Sequence, residues 1–439
     1  MIAIVESRDD SASVHVCDRI RELEDWERRE DDSRPDADGG AAYLRTDGFE
    51  LRSFDDLHLE LERPAEAFDV DPELLVFASR HSGETGPLLT GHFTGNFGPA
   101  EYGGEDRALS QAAPNALVHL HEAFLEHAPD GYAVGLECTH HGPTDVGCPS
   151  LFAELGSGED QWADPAGAEA VARAILDLRG VDADRDRQIV GFGGGHYVPR
   201  FERIVRETPW AVGHVAPAWA LEELGDPSTA GDLFREAFER SGAELAVIDG
   251  DRPALASTVA SLGYRVVSEG WLREVADRPR SLVDAVEAEL GPIADGVRFG
   301  DRRADAFSVA SLPSSLVSAA EGIDPDRARA VVAERAVAFE TTNGGSRVGD
   351  RAALPEGESV DDVVEALADL LRDRYESVRV TDDAVVAEET AFDPERAAEL
   401  GVPEGPEFGR LSAGEPVTVD GERIDPSDVH VETTTRFPR

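Results

Sequence analysis

Three glycine-rich segments, each carrying histidine and each placed directly after a short apolar run, constrain this chain more than any other feature. They span residues 91–98, 136–143 and 191–201. The apolar runs before them have the length of buried strands, so each segment is expected to be the loop at a strand's carboxyl end. In open α/β sheets, ligands bind at that edge. The sequence therefore predicts one polar site built from all three loops.

The rest of the chain up to about residue 273 predicts an α/β fold. Strand-like runs alternate with segments of helical period, the runs being 2–5, 74–78, 189–190 and 245–248 and the helical segments 11–28, 110–127, 164–178 and 253–262. Such alternation predicts a largely parallel sheet with helices on both faces, a three-layer α/β/α arrangement. Beyond it, alanine- and acid-rich helical segments at 281–290, 325–339 and 360–374 predict an appended helix-rich C-terminal domain over 280–439, of unknown role.

The charge balance indicates the environment of the protein. The chain has 41 basic and 90 acidic residues, a net charge of −49, and every basic residue is arginine. Repulsion among so many negative charges would destabilise the fold in dilute salt, but molar salt screens charges within about 3 Å. We therefore expect a halophilic, cytoplasmic protein. Three cysteines give no disulfide framework, and no apolar run approaches a membrane span. We expect a monomer with neither a DNA nor a membrane partner. The acidity argues less against nucleic-acid binding here than it normally would, because high salt weakens binding by counterion release for any protein and leaves specific contacts to hold the ligand.

The histidines of the three loops are candidate zinc ligands. Glu137, His140 and His141 lie within five residues, and His92 and His196 come from the other two loops. Histidine and glutamate are ordinary ligands of Zn²⁺, and three of them leave a position for water. We assign His92, His140, His196 and Glu137 as metal ligands, with Glu137 and His141 as catalytic groups. The alternative is that these side chains are hydrogen-bonded polar groups of ordinary loops.

Other residues of the same loops are candidate substrate contacts. Backbone N–H groups around Gly194 and Gly195 are able to form a nest for a phosphate or an oxyanion, or the glycines simply make a tight turn. Arg200 is a candidate phosphate partner, and Asn96 a hydrogen-bonding partner for a base or amide. Phe93, Phe97 and Tyr197 are candidate stacking surfaces for an exposed base, or they belong to the core, as aromatic side chains more often do. Arg80 and His81, which follow the apolar run at 74–78, are also expected to contact the substrate.

These segments, together with residues 79–86 and 212–214, resemble the archaeal- and plant-type D-aminoacyl-tRNA deacylases. The resemblance covers about residues 1–270 in the same order. It implies a phosphorylase/hydrolase-like fold, a catalytic domain over 1–275, one or two zinc ions, and D-aminoacyl-tRNA as substrate. The implied reaction is hydrolysis of the ester bond by zinc-activated water, releasing free D-amino acid and tRNA.

Two other functions remain open from the sequence. One is a zinc-dependent peptidase or amidohydrolase, since a fold does not define a substrate. The other is a non-enzymatic tRNA-binding protein whose histidines are structural. Residues 392–429 also resemble a segment of tRNA 3′-processing ribonucleases of the metallo-β-lactamase class, but the His-x-His-x-Asp-His motif of those nucleases is absent from this chain.

Overall fold

The computed structural model describes residues 1–419 and 421–439. The chain divides into two compact units, Met1–Ala276 and Asp277–Arg439, which we call the N-terminal and C-terminal units. The division falls where histidine becomes rare and the strand-helix alternation of the sequence ends. No helix among the described residues is long and apolar enough to cross a membrane.

The N-terminal unit contains twelve strands and nine helices among its residues. The strands are β1 (Ile2–Ser7), β2 (Glu27–Asp31), β3 (Ala41–Thr46), β4 (Phe49–Phe54), β5 (Leu74–Arg80), β6 (Leu88–His92), β7 (Ala133–Leu136), β8 (Ser150–Gly156), β9 (Gln188–Phe192), β10 (Ala211–Ala216), β11 (Leu245–Ile248) and β12 (Arg265–Val266). The helices are α1 (Ser11–Leu23), α2 (Pro114–His127), α3 (Glu159–Trp162), α4 (Pro165–Leu176), α5 (Pro199–Glu207), α6 (Ala218–Leu224), α7 (Gly231–Arg240), α8 (Pro253–Ser261) and α9 (Glu269–Glu274).

These strands form two sheets rather than the single sheet that the sequence predicts. The larger sheet has the order β2-β3-β4-β1-β5-β8-β6-β7 and the smaller one β10-β9-β11-β12. All pairs of the smaller sheet are parallel, whereas the larger sheet is mixed, with β6 antiparallel to β8. An isolated antiparallel bridge between Glu137 and Tyr197 joins the end of β7 to the loop after β9. Two of the three glycine-rich loops therefore meet where the sheets approach each other.

Local sequence explains how these strands are held. Strands β1, β5 and β8 are buried throughout, apart from the last residue of β5, and carry the continuous apolar runs typical of parallel sheets covered on both faces. Asp10 caps α1 by accepting from the N–H groups of Ala12 and Ser13, and its other oxygen accepts from the N–H of Arg80. One carboxylate thus fixes both the start of α1 and the end of β5, from which His81 follows.

Two strands of the larger sheet differ from the sequence prediction. The predicted helix at 11–28 ends at Leu23, and β2 follows as an edge strand paired with β3. Its sequence, Glu-Arg-Arg-Glu-Asp, has no apolar alternation by which a strand would be recognised. Strand β8 was also not predicted. The three-layer and phosphorylase/hydrolase-like descriptions stay predictions.

The C-terminal unit, which the sequence predicts to be helix-rich, contains three antiparallel sheets beside its helices within residues 277–419 and 421–439. Its strands are β13 (Val297–Phe299), β14 (Phe307–Ser311), β15 (Ala338–Thr342), β16 (Arg347–Pro355), β17 (Ser377–Val380), β18 (Ala384–Phe392), β19 (Val417–Val419), β20 (Glu422–Ile424) and β21 (His430–Pro438). They form the sheets β13-β15-β16-β14, β17-β18-β21 and β19-β20. The helices are α10 (Arg280–Leu290), α11 (Ser314–Ile323), α12 (Pro325–Ala333), α13 (Asp361–Leu371), α14 (Pro394–Glu399), α15 (Pro406–Ser412) and α16 (Pro426–Val429). The predicted helix at 325–339 ends at Ala333 because the apolar run after it pairs as β15.

Candidate functional site

Five histidines and two glutamates converge in the N-terminal unit, at the ends of β5, β6, β7 and β9 and on β8. Their ligand atoms lie within 4.8 Å of one another in overlapping groups of three: His92, His140 and His141; His81, Glu137 and His196; His92, Glu137 and Glu154. Residues up to 115 positions apart in the chain, His81 and His196, therefore share one centre. The convergence of the three loops follows the sequence prediction.

Glu137 lies at the middle of this group. Its Oε2 is 2.7 Å from Nε2 of His196 and 3.7 Å from Nε2 of His140, and its Oε1 is 3.4 Å from Nε2 of His81. The side chain is 1 % exposed, and Oε1 makes no hydrogen bond. A buried carboxylate with an unsatisfied oxygen is costly unless a cation or donor faces it.

Two histidines have the ring orientation of metal ligands. Nδ1 of His92 donates to the carbonyl oxygen of Phe93 at 2.9 Å, and Nδ1 of His140 donates to that of Cys138 at 2.8 Å. Each hydrogen bond places the proton on Nδ1 and leaves the Nε2 lone pair directed into the centre. A backbone carbonyl that holds the second nitrogen is the usual partner of a metal-ligating imidazole.

His140 and His141 are held neutral and Glu137 ionised, which are the charge states that bind a metal. Burial and the neighbouring His92 lower the pKa of His140 to about 3, so its ring is neutral at pH 7. The pKa of His141 is lowered well below its ordinary value, first by burial and then by His140. Burial acts to raise the pKa of Glu137, but the hydrogen bond from His196 and the other imidazoles outweigh it and hold the pKa at about 2.

The residues therefore fit a soft-to-borderline cation such as Zn²⁺. The unsatisfied buried atoms include Nε2 of His92, Oε1 of Glu137 and Nδ1 of His141, all of which are lone-pair donors. Imidazole nitrogen with one carboxylate is the donor set of catalytic zinc sites.

Glu154 is a member of this centre that the sequence analysis missed. It lies on β8, 2 % exposed, with Oε1 3.5 Å from Nε2 of His92, and the two atoms make no hydrogen bond. Burial raises its pKa to about 7. The sequence feature that could have identified it is a single acidic residue within the apolar segment Ser-Leu-Phe-Ala-Glu-Leu-Gly. Acidic residues are rarely buried unless they are paired.

His81 connects the centre to a second loop. Its Nε2 is 3.0 Å from the hydroxyl of Tyr197, and its Nδ1 is 2.9 Å from Oγ of Ser157. The indole N–H of Trp162 donates to its carbonyl oxygen. These contacts fix the ring of His81 against Glu137, and none of Ser157, Trp162 or the hydroxyl of Tyr197 was predicted for this task.

Gly194 and Gly195 form the turn that leads from β9 to His196. Gly193 and Gly194 have positive φ values of 101° and 83°. None of the hydrogen bonds made within residues 1–419 and 421–439 uses the N–H of Gly194 or Gly195. Both groups are therefore open to an anion next to the histidines.

Three predicted substrate contacts have other partners in the structure. Both N–H groups of the Asn96 amide are used, donating to the carbonyl oxygens of Gly103 and Glu105, so this side chain braces a loop. The Arg200 guanidinium pairs with Asp249 at 3.2 Å and lies 3.5 Å from Glu269, which neutralises the charge expected to meet phosphate. The Arg80 guanidinium lies over the ring of Trp162, 5.4 Å from its centroid.

The predicted stacking surfaces are also mostly inaccessible. Phe93 is 2 % exposed and Phe97 1 % exposed, and both rings pack against His214. Neither is able to meet a base without unfolding of the loop. The sequence pattern of alternating aromatic and glycine residues did not reveal which rings face inward.

Comparison with known proteins gives a consistent family. The family model described as D-aminoacyl-tRNA deacylase matches residues 68–267. The D-aminoacyl-tRNA deacylase of Halorubrum lacusprofundi is 55 % identical over 100 % of this chain and 97 % of its own length. That of Natronomonas pharaonis is 52 % identical, with complete coverage of both chains, and that of Methanoregula boonei is 32 % identical over 99 % of this chain and 98 % of its own.

A solved structure is also similar. The crystal structure of a conserved protein of unknown function has a TM-score of 0.56 and 28 % identity, covering 62 % of this chain and 96 % of its own. The extension at 280–439 is shared with the full-length relatives, because they align over nearly all of both chains. With its loops, its histidine cluster and its identity to these relatives along the whole sequence, the chain belongs to the D-aminoacyl-tRNA deacylase family.

Proposed function

We propose that this protein hydrolyses the ester bond of D-aminoacyl-tRNA and releases free D-amino acid and tRNA. The observation that carries the proposal is the convergence of His92, His140, His141, His196 and Glu137 at one centre in a chain of this family. The ester is already an activated acyl group, so the site accelerates the reaction mainly by positioning the ester and the attacking water.

His92, His140, His196 and Glu137 are the proposed zinc ligands, with His81, His141 and Glu154 beside them for a second ion. Bound zinc supplies an activated water near neutral pH and a Lewis acid for the ester carbonyl.

The side chains of this chain have three tasks in the proposed reaction. Glu137 and His141 move protons between the attacking water and the leaving ribose hydroxyl. The free N–H groups of Gly194 and Gly195 stabilise the oxyanion that develops on the carbonyl oxygen. His81, held by Ser157 and Tyr197, keeps Glu137 in place.

Selectivity for the D enantiomer is proposed to come from steric exclusion. A site that orients both the ester carbonyl and the α-amino group directs the side chains of the two enantiomers in different directions. The L side chain would then meet protein atoms, which costs affinity for the wrong substrate.

The test is release of tyrosine from D-tyrosyl-tRNA and L-tyrosyl-tRNA in molar KCl, by the wild-type protein and by Glu137→Gln. We expect release of the D form only, slowed about 10²- to 10⁴-fold by Glu137→Gln. Glu122→Gln, the same chemical change at an exposed glutamate of α2, is the matched control and should keep the wild-type rate. Equal release of both enantiomers, or none from zinc-loaded protein, would refute the proposal.

A further inference from the structure

Two exposed aromatic residues belong to segments that are joined by backbone hydrogen bonds to loops of the candidate site. Of the six large hydrophobic side chains that are exposed among the described residues, only Tyr102 and Trp219 are aromatic, at 62 % and 46 % exposure. Single exposed aliphatic residues are common on protein surfaces and need no explanation. Exposed aromatic rings beside a functional site are more informative, because they offer a flat apolar face to a ligand.

The backbone attaches each ring to a loop of the site. The carbonyl oxygen of Tyr102 accepts from the N–H of Gly142, the residue after His141, at 3.1 Å. The residue before Trp219, Ala218, donates its N–H to the carbonyl oxygen of Gly194 at 2.9 Å. Movement of either loop would therefore carry the adjacent aromatic residue with it.

The two aromatic residues also lie on elements that touch each other. Gly98 approaches α6 so closely that a Cβ there would lie 3.1 Å from Oε2 of Glu223. Trp219 is four residues before Glu223 on α6 and so shares its face. Tyr102 follows Gly98 by only four residues, a reach of at most about 14 Å.

Electrostatics favours stacking over phosphate contacts at this surface. The net charge of the chain is −49. Arg200, which was expected to contact phosphate, is already paired with Asp249. Molar salt further weakens binding by counterion release. Stacking of a base on an aromatic ring needs no positive charge, and each stacked base adds to the binding free energy.

We propose that Tyr102 and Trp219 stack against the unpaired bases at the 3′ end of the tRNA and so hold the aminoacylated ribose at the histidine centre. This inference rests on the proposed function, since it names how that substrate is held. It replaces the buried Phe93 and Phe97 as the stacking surfaces.

The test is equilibrium binding of uncharged, fluorescently labelled tRNA in molar KCl, measured by anisotropy, for intact tRNA and for tRNA lacking its unpaired 3′ nucleotides. Tyr102→Ala and Trp219→Ala should each raise the Kd for intact tRNA roughly 5- to 150-fold. Tyr102→Phe and Trp219→Phe keep the ring and should stay within a few-fold of wild type. Leu125→Ala removes an equally exposed apolar side chain from α2, which contributes no residue to the site, and is the matched control.

A coupling measurement makes the assignment specific. Trimming the 3′ end should weaken binding to wild-type protein but not to the double alanine variant, because both changes remove the same contact. Alanine variants that bind intact tRNA as tightly as Leu125→Ala, or that lose the same affinity for trimmed tRNA, would overturn the inference.

The outcome is separable from that of the proposed function. Binding of uncharged tRNA requires no hydrolysis, so loss of binding in the alanine variants supports stacking even if D-aminoacyl-tRNA is not cleaved. Conversely, hydrolysis by wild type with unchanged KM in both alanine variants would keep the proposed function and refute the stacking.

Discussion

Gly193 provides a sharp test of how the loop before His196 is held. Its φ is +101°, and a Cβ at this position would lie 2.2 Å from the carbonyl oxygen of Asp249. Because that atom belongs to the backbone of the neighbouring loop, no side-chain rotation relieves the overlap. Gly193→Ala must therefore displace the turn that carries Gly194, Gly195 and His196.

The expected loss in the free energy of unfolding of Gly193→Ala has two parts. Alanine in a left-handed conformation costs about 1–2 kcal/mol relative to glycine. Overpacking against fixed atoms adds about 1–3 kcal/mol. Gly131 separates the two parts, because its φ is +92° and nothing lies within 4 Å of a Cβ there. Gly131→Ala should lose only the first part of the free energy of unfolding, and Gly193→Ala both.

The functional effect should be larger than the effect on stability. His196 lies 2.7 Å from Glu137, and a displacement of about 1 Å at a catalytic group is able to cost roughly 100-fold in rate. The free energy of unfolding is measured by denaturant titration, and kcat/KM by release of D-tyrosine from tRNA. If Gly193→Ala matched Gly131→Ala in both measurements, the packing argument for this loop would be refuted.

Two further predictions concern histidines. His92→Ala should lower the zinc bound per chain, measured by plasma mass spectrometry after gel filtration, whereas His119→Ala at an exposed helix position should not; retained zinc in the His92 variant would contradict its assignment as a ligand. Burial lowers the pKa of His214 from 6.5 to about 4, so the unfolded chain takes up this proton first and stability is lost as pH falls from 6.5 to 4. The difference of 2.5 pKa units corresponds to about 3 kcal/mol. Compared with wild type, His214→Asn should lose less stability over this pH range in urea titrations, and equal losses would contradict the prediction.

The proximity of the loops after β6 and β7 was predictable because the carboxyl ends of neighbouring parallel strands lie at a common edge. The third loop follows β9 of the other sheet and meets them through the Glu137–Tyr197 bridge. Short apolar runs followed by glycine and histidine carry that information locally, as at Leu88–His92 and Gln188–Phe192. The division into two sheets was not predictable from the same signal. It depends on which strands pair, and β6 pairs antiparallel with β8 across a separation of about sixty residues.

The individual tasks of side chains were harder to predict than their location. Asn96, Arg200 and Phe97 lie in the predicted segments, but their side chains contact Gly103, Asp249 and the core. The local sequence pattern does not identify these partners. Glu154 belongs to the site but was not predicted, because it lies in a buried strand without the glycine and histidine neighbours by which the loops were recognised. The same limit applies to the C-terminal unit, where alanine-rich helices were recognised but strands such as β18 and β21 depend on pairing with each other.

The central claim is that zinc held by the histidines and Glu137 is required for D-selective hydrolysis of aminoacyl-tRNA. The most direct measurement is the rate of D-tyrosine release from D-tyrosyl-tRNA in molar KCl by one protein preparation before chelation, after chelation and after zinc is restored, with L-tyrosyl-tRNA in parallel. We expect release of the D form that disappears with the metal and returns with it, and no release of the L form at any stage. Full D-selective activity in protein shown to be free of metal would contradict the claim.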